Sequence, residues 1–233
     1  MRVIRNSVFE TNSSSMHSIV VLKHDNSDIV NPLENIKLDK DNNIVYSERD
    51  LSFNRWPFKI LTDFEGKLKF AIASLVGCCY IKGVDYDSDK LELEKSLRLK
   101  KIESIVHKFI PDFNSFCFET EYVVYYFRKD THERFGGKTI TEEENGEKKF
   151  YGYDKKTDTY IPLEAKAKQR ARYGYVETYP DLLERFLKEK NIELEDFLFN
   201  NRYVVIIDGD EYNTFDSFND MKIIDEEEIE EFF

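Results

Sequence analysis

The sequence has no long hydrophobic run and few cysteines. No apolar stretch reaches the roughly 18 residues that a membrane span needs, so we expect no contact with a membrane. The first residues lack the apolar region and small-residue cleavage site of a secretion signal, which favours a cytoplasmic protein. Three cysteines, two of them adjacent, make no disulfide framework and indicate reduced thiols.

Familiar enzyme and metal-site signatures are also missing. There is no C-x-x-C or H-E-x-x-H spacing, so a zinc site is not expected, and there is no G-x-S-x-G elbow. Residues 136–139 resemble the end of a phosphate-binding P-loop, but the first glycine and the strand–loop–helix context of that motif are absent. The sequence therefore leaves open whether this protein is an enzyme.

The composition is that of a folded, acidic protein. Hydrophobic residues make up 41% and aromatic residues 15% of the 233 positions, which excludes global disorder. The chain carries 34 basic and 46 acidic side chains, for a net charge of −12. This balance argues against a surface that grips nucleic acid throughout, because phosphate binding needs clustered Lys and Arg.

The negative charge is concentrated at one end of the chain. Residues 208–233 contain eleven acids and one base and so carry −10, while residues 1–207 carry only −2. A local field can steer a basic partner, whereas diffuse charge cannot. The alternative is a docked terminal helix whose acids simply face water. The candidate partner-binding residues are Asp225, Glu226, Glu227, Glu228, Glu230 and Glu231.

Hydrophobic periodicity predicts an α+β fold. We expect a mainly antiparallel sheet, two central helices, and a C-terminal helix, strand and acidic tail within one domain of residues 1–233. The alternative is the same domain with a β-hairpin that protrudes at about 130–175. Helices are predicted at 56–80, 89–109 (with Ser88 as N-cap) and 180–190. Strands are predicted at 19–22, 43–46, 122–127, 149–153, 159–163 and 203–207, with a tight turn at Asn145-Gly146.

The most unusual string is Ser7–Ser18, which comes just before a predicted strand. Its hydroxyls and backbone amides are suited to holding a phosphate or another anion. Glu10 and His17 add a carboxylate and an imidazole for acid–base chemistry. The alternative is an ordinary loop whose Ser and Asn side chains bond their own backbone. The candidate ligand-binding residues are Glu10, Asn12, Ser13, Ser14, Ser15 and His17.

Part of this string resembles a known signature. Residues Phe9–Ser18 read F-E-T-N-S-S-S-M-H-S, similar to an N-terminal motif of small proteins from phages and mobile elements of low-GC Gram-positive bacteria. Met16 stands where that motif more often has Thr. The similarity covers Arg5–Ile19, and the string Val205–Tyr212 is also similar to such proteins. The resemblance implies a phage-type context in a bacterial host cell and supplies no reaction.

A second candidate site follows the predicted strand at 203–207. Asp208, Asp210 and Glu211 place carboxylates at a strand end, where Mg²⁺ or Mn²⁺ finds the oxygen ligands that it prefers. The alternative is an ordinary Asp-Gly turn. If the N-terminal strand pairs nearby, Glu10 and Asn12 complete such a metal site.

A third candidate is the basic heptapeptide Lys166–Arg172, which is followed by Tyr173 and Tyr175. Alternating cations beside aromatic rings are suited to a phosphate backbone with stacked bases. The alternative is a solvated strand whose Lys and Arg protect a sheet edge.

Two functions follow from these features. The phage-type motif, the missing catalytic signatures and the acidic segment favour an accessory protein that inhibits a host defence or nucleic-acid-handling machine, as an anti-CRISPR-like inhibitor does. Its partner would be a host protein or ribonucleoprotein with a basic groove. The alternative is a nucleotide- or phosphoester-binding protein, or a metal-dependent enzyme, that uses the N-terminal loop. Convergence of Glu10, His17 and 208–211 would favour the second function.

Overall fold

The computed structural model describes residues 17–22, 36–54, 59–84, 88–177, 179–207 and 229–232. The chain divides into two compact units. The first unit combines Met1–Phe118 with Tyr173–Phe233, and the second unit is Glu119–Arg172. Helices together with mainly antiparallel sheets confirm the predicted α+β class.

The elements are named in chain order. The strands are β1 (His17–Leu22), β2 (Ile44–Tyr46), β3 (Ser52–Phe53), β4 (Lys59–Leu61), β5 (Phe116–Phe118), β6 (Thr120–Arg128), β7 (Thr139–Glu144), β8 (Glu147–Asp154), β9 (Thr159–Ala171), β10 (Tyr175–Val176), β11 (Tyr203–Ile207) and β12 (Ile229–Phe232). The α-helices are α1 (Phe64–Ile72), α2 (Asp89–Phe109), α3 (Leu182–Glu189) and α4 (Leu194–Phe199).

The central sheet of the first unit has the strand order β12-β1-β11-β4, and every pairing in it is antiparallel. All residues of β11 are buried, which explains its unbroken apolar sequence and confirms the strand predicted at 203–207. Two short parallel pairs, β2 with β5 and β3 with β10, complete the sheets of this unit.

Helix α2 matches its prediction at both ends. The Ser88 hydroxyl accepts a hydrogen bond from the Leu91 amide at 3.2 Å, which caps the first turn. The helix stops two residues before Pro111, since the residue preceding a proline avoids the helical region. Its buried face includes Leu91, Ile102 and Val106.

The helix predicted at 56–80 is wrong over its first part. Lys59–Leu61 is strand β4, and α1 begins only after Asp63, whose carboxylate accepts from the Gly66 amide at 2.7 Å. Residues Ala73–Gly77 then continue as a π-helical turn. The apolar spacing of the helix runs back through Leu61, so periodicity alone did not separate the strand from the helix. Pairing with β11 decides the strand conformation.

The interior of the first unit holds a buried lysine among aromatic rings. Lys67 is fully buried on α1 and donates from Nζ to the Asn200 carbonyl at 2.9 Å, at the end of α4. Its Nζ also lies 5.9 Å from the centroid of the Phe197 ring. Burial lowers the pKa of Lys67 from 10.5 to about 8. This lysine is a second donor to a helix-end carbonyl that also accepts from the Tyr203 amide at 3.2 Å.

The second unit is a four-stranded antiparallel sheet with the order β6-β9-β8-β7. Its tightest turn is the predicted hairpin. Asn145 and Gly146 have φ of 55° and 80°, the combination that a two-residue turn between twisted strands requires. The long strand β9 pairs with β8 through Thr159–Leu163 and with β6 through Leu163–Ala171.

The described part of the acidic C-terminal segment is a strand. Ile229–Phe232 pairs with β1 and forms the outermost strand of the central sheet. The docked helix considered for this segment is therefore wrong for these four residues. Among the helices of the described ranges, none is both long and apolar enough to cross a membrane.

Candidate ligand site at one end of the central sheet

Three strands of the central sheet meet at one end. His17 opens β1 and lies opposite Ile207, the last residue of β11. Ile207 in turn lies opposite Lys59, the first residue of β4. The peptide that enters β1 and the peptide that leaves β11 are therefore neighbours across the ladder.

His17 anchors this end of the sheet. Its side chain is fully buried, and Nε2 lies 3.3 Å from the Phe53 carbonyl oxygen. Because a carbonyl oxygen only accepts, this contact requires the proton on Nε2. The bond ties the start of β1 to β3 and fixes the orientation of the imidazole ring.

A pocket of about 400 Å³ adjoins the same strand ends. It shares Phe53 and Lys59 with the contacts just described and extends along the first turns of α1. Its charged lining residues are Arg49, Asp50, Lys59, Asp63, Glu65 and Lys69. Cations and carboxylates are equal in number. Whether the pocket favours an anion therefore depends on which of these groups are already bonded to other residues.

The carboxylates of this pocket are largely engaged. Asp63 caps α1, and Glu65 pairs with Lys69 at 2.6 Å. The Ser47 hydroxyl donates to Asp50 at 2.6 Å, which holds the pKa of Asp50 below its ordinary value and keeps it ionised.

Two cations of the pocket have no such partner. Among the described residues, neither Arg49 nor Lys59 forms an ion pair. The Lys59 ammonium instead lies 5.5 Å from the centroid of the Phe53 ring. After the Ser47 hydrogen bonds, the Lys59 charge also contributes to the lowered pKa of Asp50, so Lys59 is shared with that carboxylate. The pocket therefore offers Arg49 and, in part, Lys59 to an anion, next to the strand end where the predicted ligand loop joins β1.

Most predicted site residues fall outside the described ranges. This applies to Glu10, Asn12, Ser13, Ser14 and Ser15 of the ligand loop, to Asp208, Asp210 and Glu211 of the predicted metal site, and to Asp225, Glu226, Glu227 and Glu228 of the acidic segment. His17 lies at the strand end, and Glu230 and Glu231 lie in β12 opposite Val21 and Val20.

Metal ligands and cysteines give no second site in the described part of the chain. No group of three or more His, Cys, Asp or Glu residues there is arranged to hold a metal ion. Cys78 accepts a hydrogen bond from the Val176 amide at 3.2 Å, and Cys79 is buried. Burial raises the pKa of both thiols, which favours the neutral thiol over the nucleophilic thiolate.

Sequence reasoning missed Arg49 and Lys59. Lys59 fell within the predicted helix at 56–80 and was not considered as a site residue. Arg49 lies in a turn between β2 and β3, without a motif around it. Only the pairing of β4 with β11 places Lys59 at the same sheet end as His17, and no local sequence signal encodes that pairing.

Comparisons with models of protein families, with curated proteins and with solved structures returned no match.

Proposed function

We propose that this protein binds a nucleotide or another phosphoester at the end of its central sheet. The observation that carries the proposal is the register in which His17 lies opposite Ile207 and Ile207 lies opposite Lys59. His17 and Ile207 are the residues to which two segments marked by the sequence are covalently attached, the Ser-rich loop before β1 and the acidic string after β11.

The covalent chain gives the first argument. Residue 16 is one peptide bond from His17, and residue 208 is one peptide bond from Ile207. Both predicted segments are therefore attached to adjacent residues at the same end of the central sheet. A shared site needs this proximity, and two segments leaving opposite ends would have removed it.

The free cations give the second argument. Arg49 and Lys59 present positive charge beside this end of the sheet, within a pocket whose half-buried apolar lining is Ile60 and Leu61. A nucleotide combines an anionic phosphate with an apolar base, so its two parts match the two kinds of lining. The carboxylates at 208–211 supply ligands for Mg²⁺ or Mn²⁺ that would accompany the phosphates.

Differential scanning fluorimetry tests the proposal. The full chain is heated with nucleoside mono-, di- and triphosphates and cyclic nucleotides, each with and without Mg²⁺. A ligand that binds only the folded state stabilises it by about 2.7 kcal/mol at a hundred times its Kd, so the melting temperature should rise. Unchanged melting across the whole panel would contradict the proposal.

Variants locate the binding. Lys59→Gln, Ser14→Ala and Asp210→Asn should each reduce the shift, because each removes one predicted ligand contact. Lys82→Gln is the matched control, since Lys82 is an exposed lysine of the same unit away from the pocket. An equal loss of the shift in Lys82→Gln would show that general charge, rather than this site, holds the ligand.

The acidic segment supports a second candidate function, inhibition of a host defence or nucleic-acid-handling machine. Ile229–Phe232 forms the outer strand of the central sheet, so Glu230 and Glu231 belong to a folded sheet edge. With residues 225–228 they concentrate six carboxylates in seven positions. In this role the carboxylates would occupy a basic groove of the partner that otherwise holds nucleic acid.

Neutralising the charge tests this role without removing β12. A variant with Asp225→Asn and Gln at positions 226, 227, 228, 230 and 231 keeps the length of the segment and the apolar residues Ile229 and Phe232 of β12. In a pull-down from host lysate, the natural chain should retain a partner that high salt releases and that the variant fails to retain. Equal recovery by both chains would rule out the acidic mimic.

A further inference from the structure

Strand β9 presents its three clustered cations on one face, and Arg172 after the strand lies on the same side. Side chains alternate along a strand, so Lys166, Lys168 and Arg170 share a face. Arg172, which follows the strand, joins them through its Nη2 bond to Glu121 at 3.0 Å, because Glu121 lies opposite Arg170 in the ladder.

The opposite face of the same segment carries no charge. Its residues are Ala165, Ala167, Gln169 and Ala171. Ala167 and Gln169 are exposed, as Lys168 is. In many sheets the charged residues lie on one face because the opposite face is buried. That explanation does not apply to this segment of β9. Both faces are accessible here, and the cations are still confined to one.

Aromatic rings of β6 hold the cations on this face. Arg170 donates from Nη1 to the Tyr125 hydroxyl at 3.1 Å. Lys166 Nζ lies 5.3 Å from the centroid of the Phe127 ring. From the loop beyond β6, the Arg134 guanidinium lies 4.9 Å from the Tyr125 ring. We call this set of five cations and two rings the basic face: Arg134, Lys166, Lys168, Arg170, Arg172, Tyr125 and Phe127.

Carboxylates offset only part of its charge. Glu121 pairs with Arg172, and Glu164 lies 3.6 Å from Lys166. Lys168 is exposed, lies opposite Val123, and has no ion pair among the described residues. Glu119, opposite Arg172, adds a third carboxylate on this side of the sheet. Five cations against three carboxylates leave the basic face positive, although the second unit as a whole carries only +1, from twelve bases and eleven acids.

We propose that the basic face binds single-stranded nucleic acid. Cations on alternate residues of a strand repeat at about 6.7 Å, a length comparable with one nucleotide of an extended single strand. Aromatic rings and guanidinium planes among the cations offer stacking surfaces to unpaired bases, which a duplex keeps inside its own stack. The ligand is sequence-tolerant, because the face offers charge and stacking rather than a pattern of hydrogen bonds.

Fluorescence anisotropy of the full chain tests this inference. The probes are labelled twelve-nucleotide oligo(dT) and oligo(U), and the same length of duplex DNA, at 50 mM and 200 mM salt. Both single strands should bind more tightly than the duplex. With about four phosphates contacted, log K should fall with log salt at a slope of about −2.8. Absence of single-strand binding at 50 mM salt, or tighter binding of the duplex, would overturn the proposal.

Paired variants assign the binding to this face. Lys166→Ala with Lys168→Ala should weaken binding at least tenfold and reduce the salt slope by about 1.4, since two phosphate contacts are lost. Lys148→Ala with Lys155→Ala is the matched control, because both lysines are exposed in the same unit and lie outside the basic face. Equal weakening by both pairs would contradict the assignment. Circular dichroism confirms that each variant is folded.

This inference is independent of the proposed nucleotide site, which lies in the first unit. Tyr125→Phe gives a finer readout, because it keeps the ring and removes the hydroxyl that accepts from Arg170. Stacking should survive in this variant, so its affinity for oligo(U) should stay within about threefold of the natural chain. Tyr125→Ala should lose roughly tenfold. Equal affinities for Tyr125→Phe and Tyr125→Ala would overturn the role of the ring.

Discussion

The two units of this protein are stabilised in different ways. The first unit buries a continuous core that includes Phe64, Phe186 and Phe197. Tyr203, Val205 and Ile207 of β11 belong to the same core. In the second unit, which the structure describes completely, Leu163 is the one large hydrophobic side chain that is almost fully buried. A single sheet layer buries little apolar area, so its stability depends on ladder hydrogen bonds and cross-strand pairs.

The units also differ in charge. The net charge of the second unit is +1. Since the whole chain carries −12, the residues of the first unit carry −13. The difference separates two kinds of chemistry on one chain. The first unit offers a pocket at a strand end for a small anion. The second unit offers an open sheet face, on which the alternation of side chains along β9 places the cations.

The largest effect should come from the core of the first unit. Phe197→Ala should lower the free energy of unfolding by about 3–5 kcal/mol, because Phe197 is fully buried and contacts Tyr203 and Phe186. Phe150→Ala, in the half-buried pair with Tyr126, should cost about 1 kcal/mol. Urea denaturation followed by circular dichroism measures both. Similar losses at the two positions would contradict the contrast between the units.

Backbone packing in the first unit gives the next effect. Gly174 has φ of +67°, and an added Cβ would lie 2.1 Å from the Leu51 carbonyl oxygen. Gly174→Ala should therefore cost more than about 2 kcal/mol. Gly136→Ala is the control, since no atom lies within 4 Å of an added Cβ there. A melting temperature unchanged by Gly174→Ala would show that this close approach does not exist.

Lys67 gives a smaller, pH-dependent effect. Its pKa of about 8 when folded lies below the ordinary 10.5, so between these pH values the unfolded chain binds a proton that the folded chain has released. Stability should then rise with pH over this window. Relative to Lys67→Met, the natural chain should gain roughly 3 kcal/mol between pH 8 and pH 10.5. A constant difference between the two chains across this window would contradict the assignment of a buried charge.

A control with an exposed lysine sharpens this test. Lys168→Met changes a side chain of the second unit that lies in solvent. Its stability relative to the natural chain should not follow the profile of Lys67→Met. If it does, the profile belongs to another group that both chains share.

Local sequence signals predicted those elements that depend on local chemistry. Ser88 and the apolar spacing behind it define α2, and Asn145-Gly146 defines a hairpin. Strand β4 was not predicted, because three residues next to a helix are too few to show a periodicity of their own. The sequence also did not predict which strand pairs with which. Register depends on contacts between residues far apart in sequence, such as Val205 with Leu61.

The candidate site was predictable only in part. The Ser-rich loop and the acids after β11 stand out in the sequence, but their meeting point depends on the pairing of β1 with β11. Arg49 and Lys59 belong to no motif, so only the fold brings them together. The basic heptapeptide was visible as a charge cluster, whereas its confinement to one face required the ladder between β6 and β9.

Hydrogen–deuterium exchange tests the central claim most directly. The full chain is compared with and without a mixture of nucleoside mono-, di- and triphosphates and cyclic nucleotides in Mg²⁺. The account predicts slower exchange in peptides covering 17–22 and 44–61, with residues 119–172 unchanged. Exchange that is unchanged in the first unit, or protection confined to residues 119–172, would contradict a phosphate-binding site at the end of the central sheet.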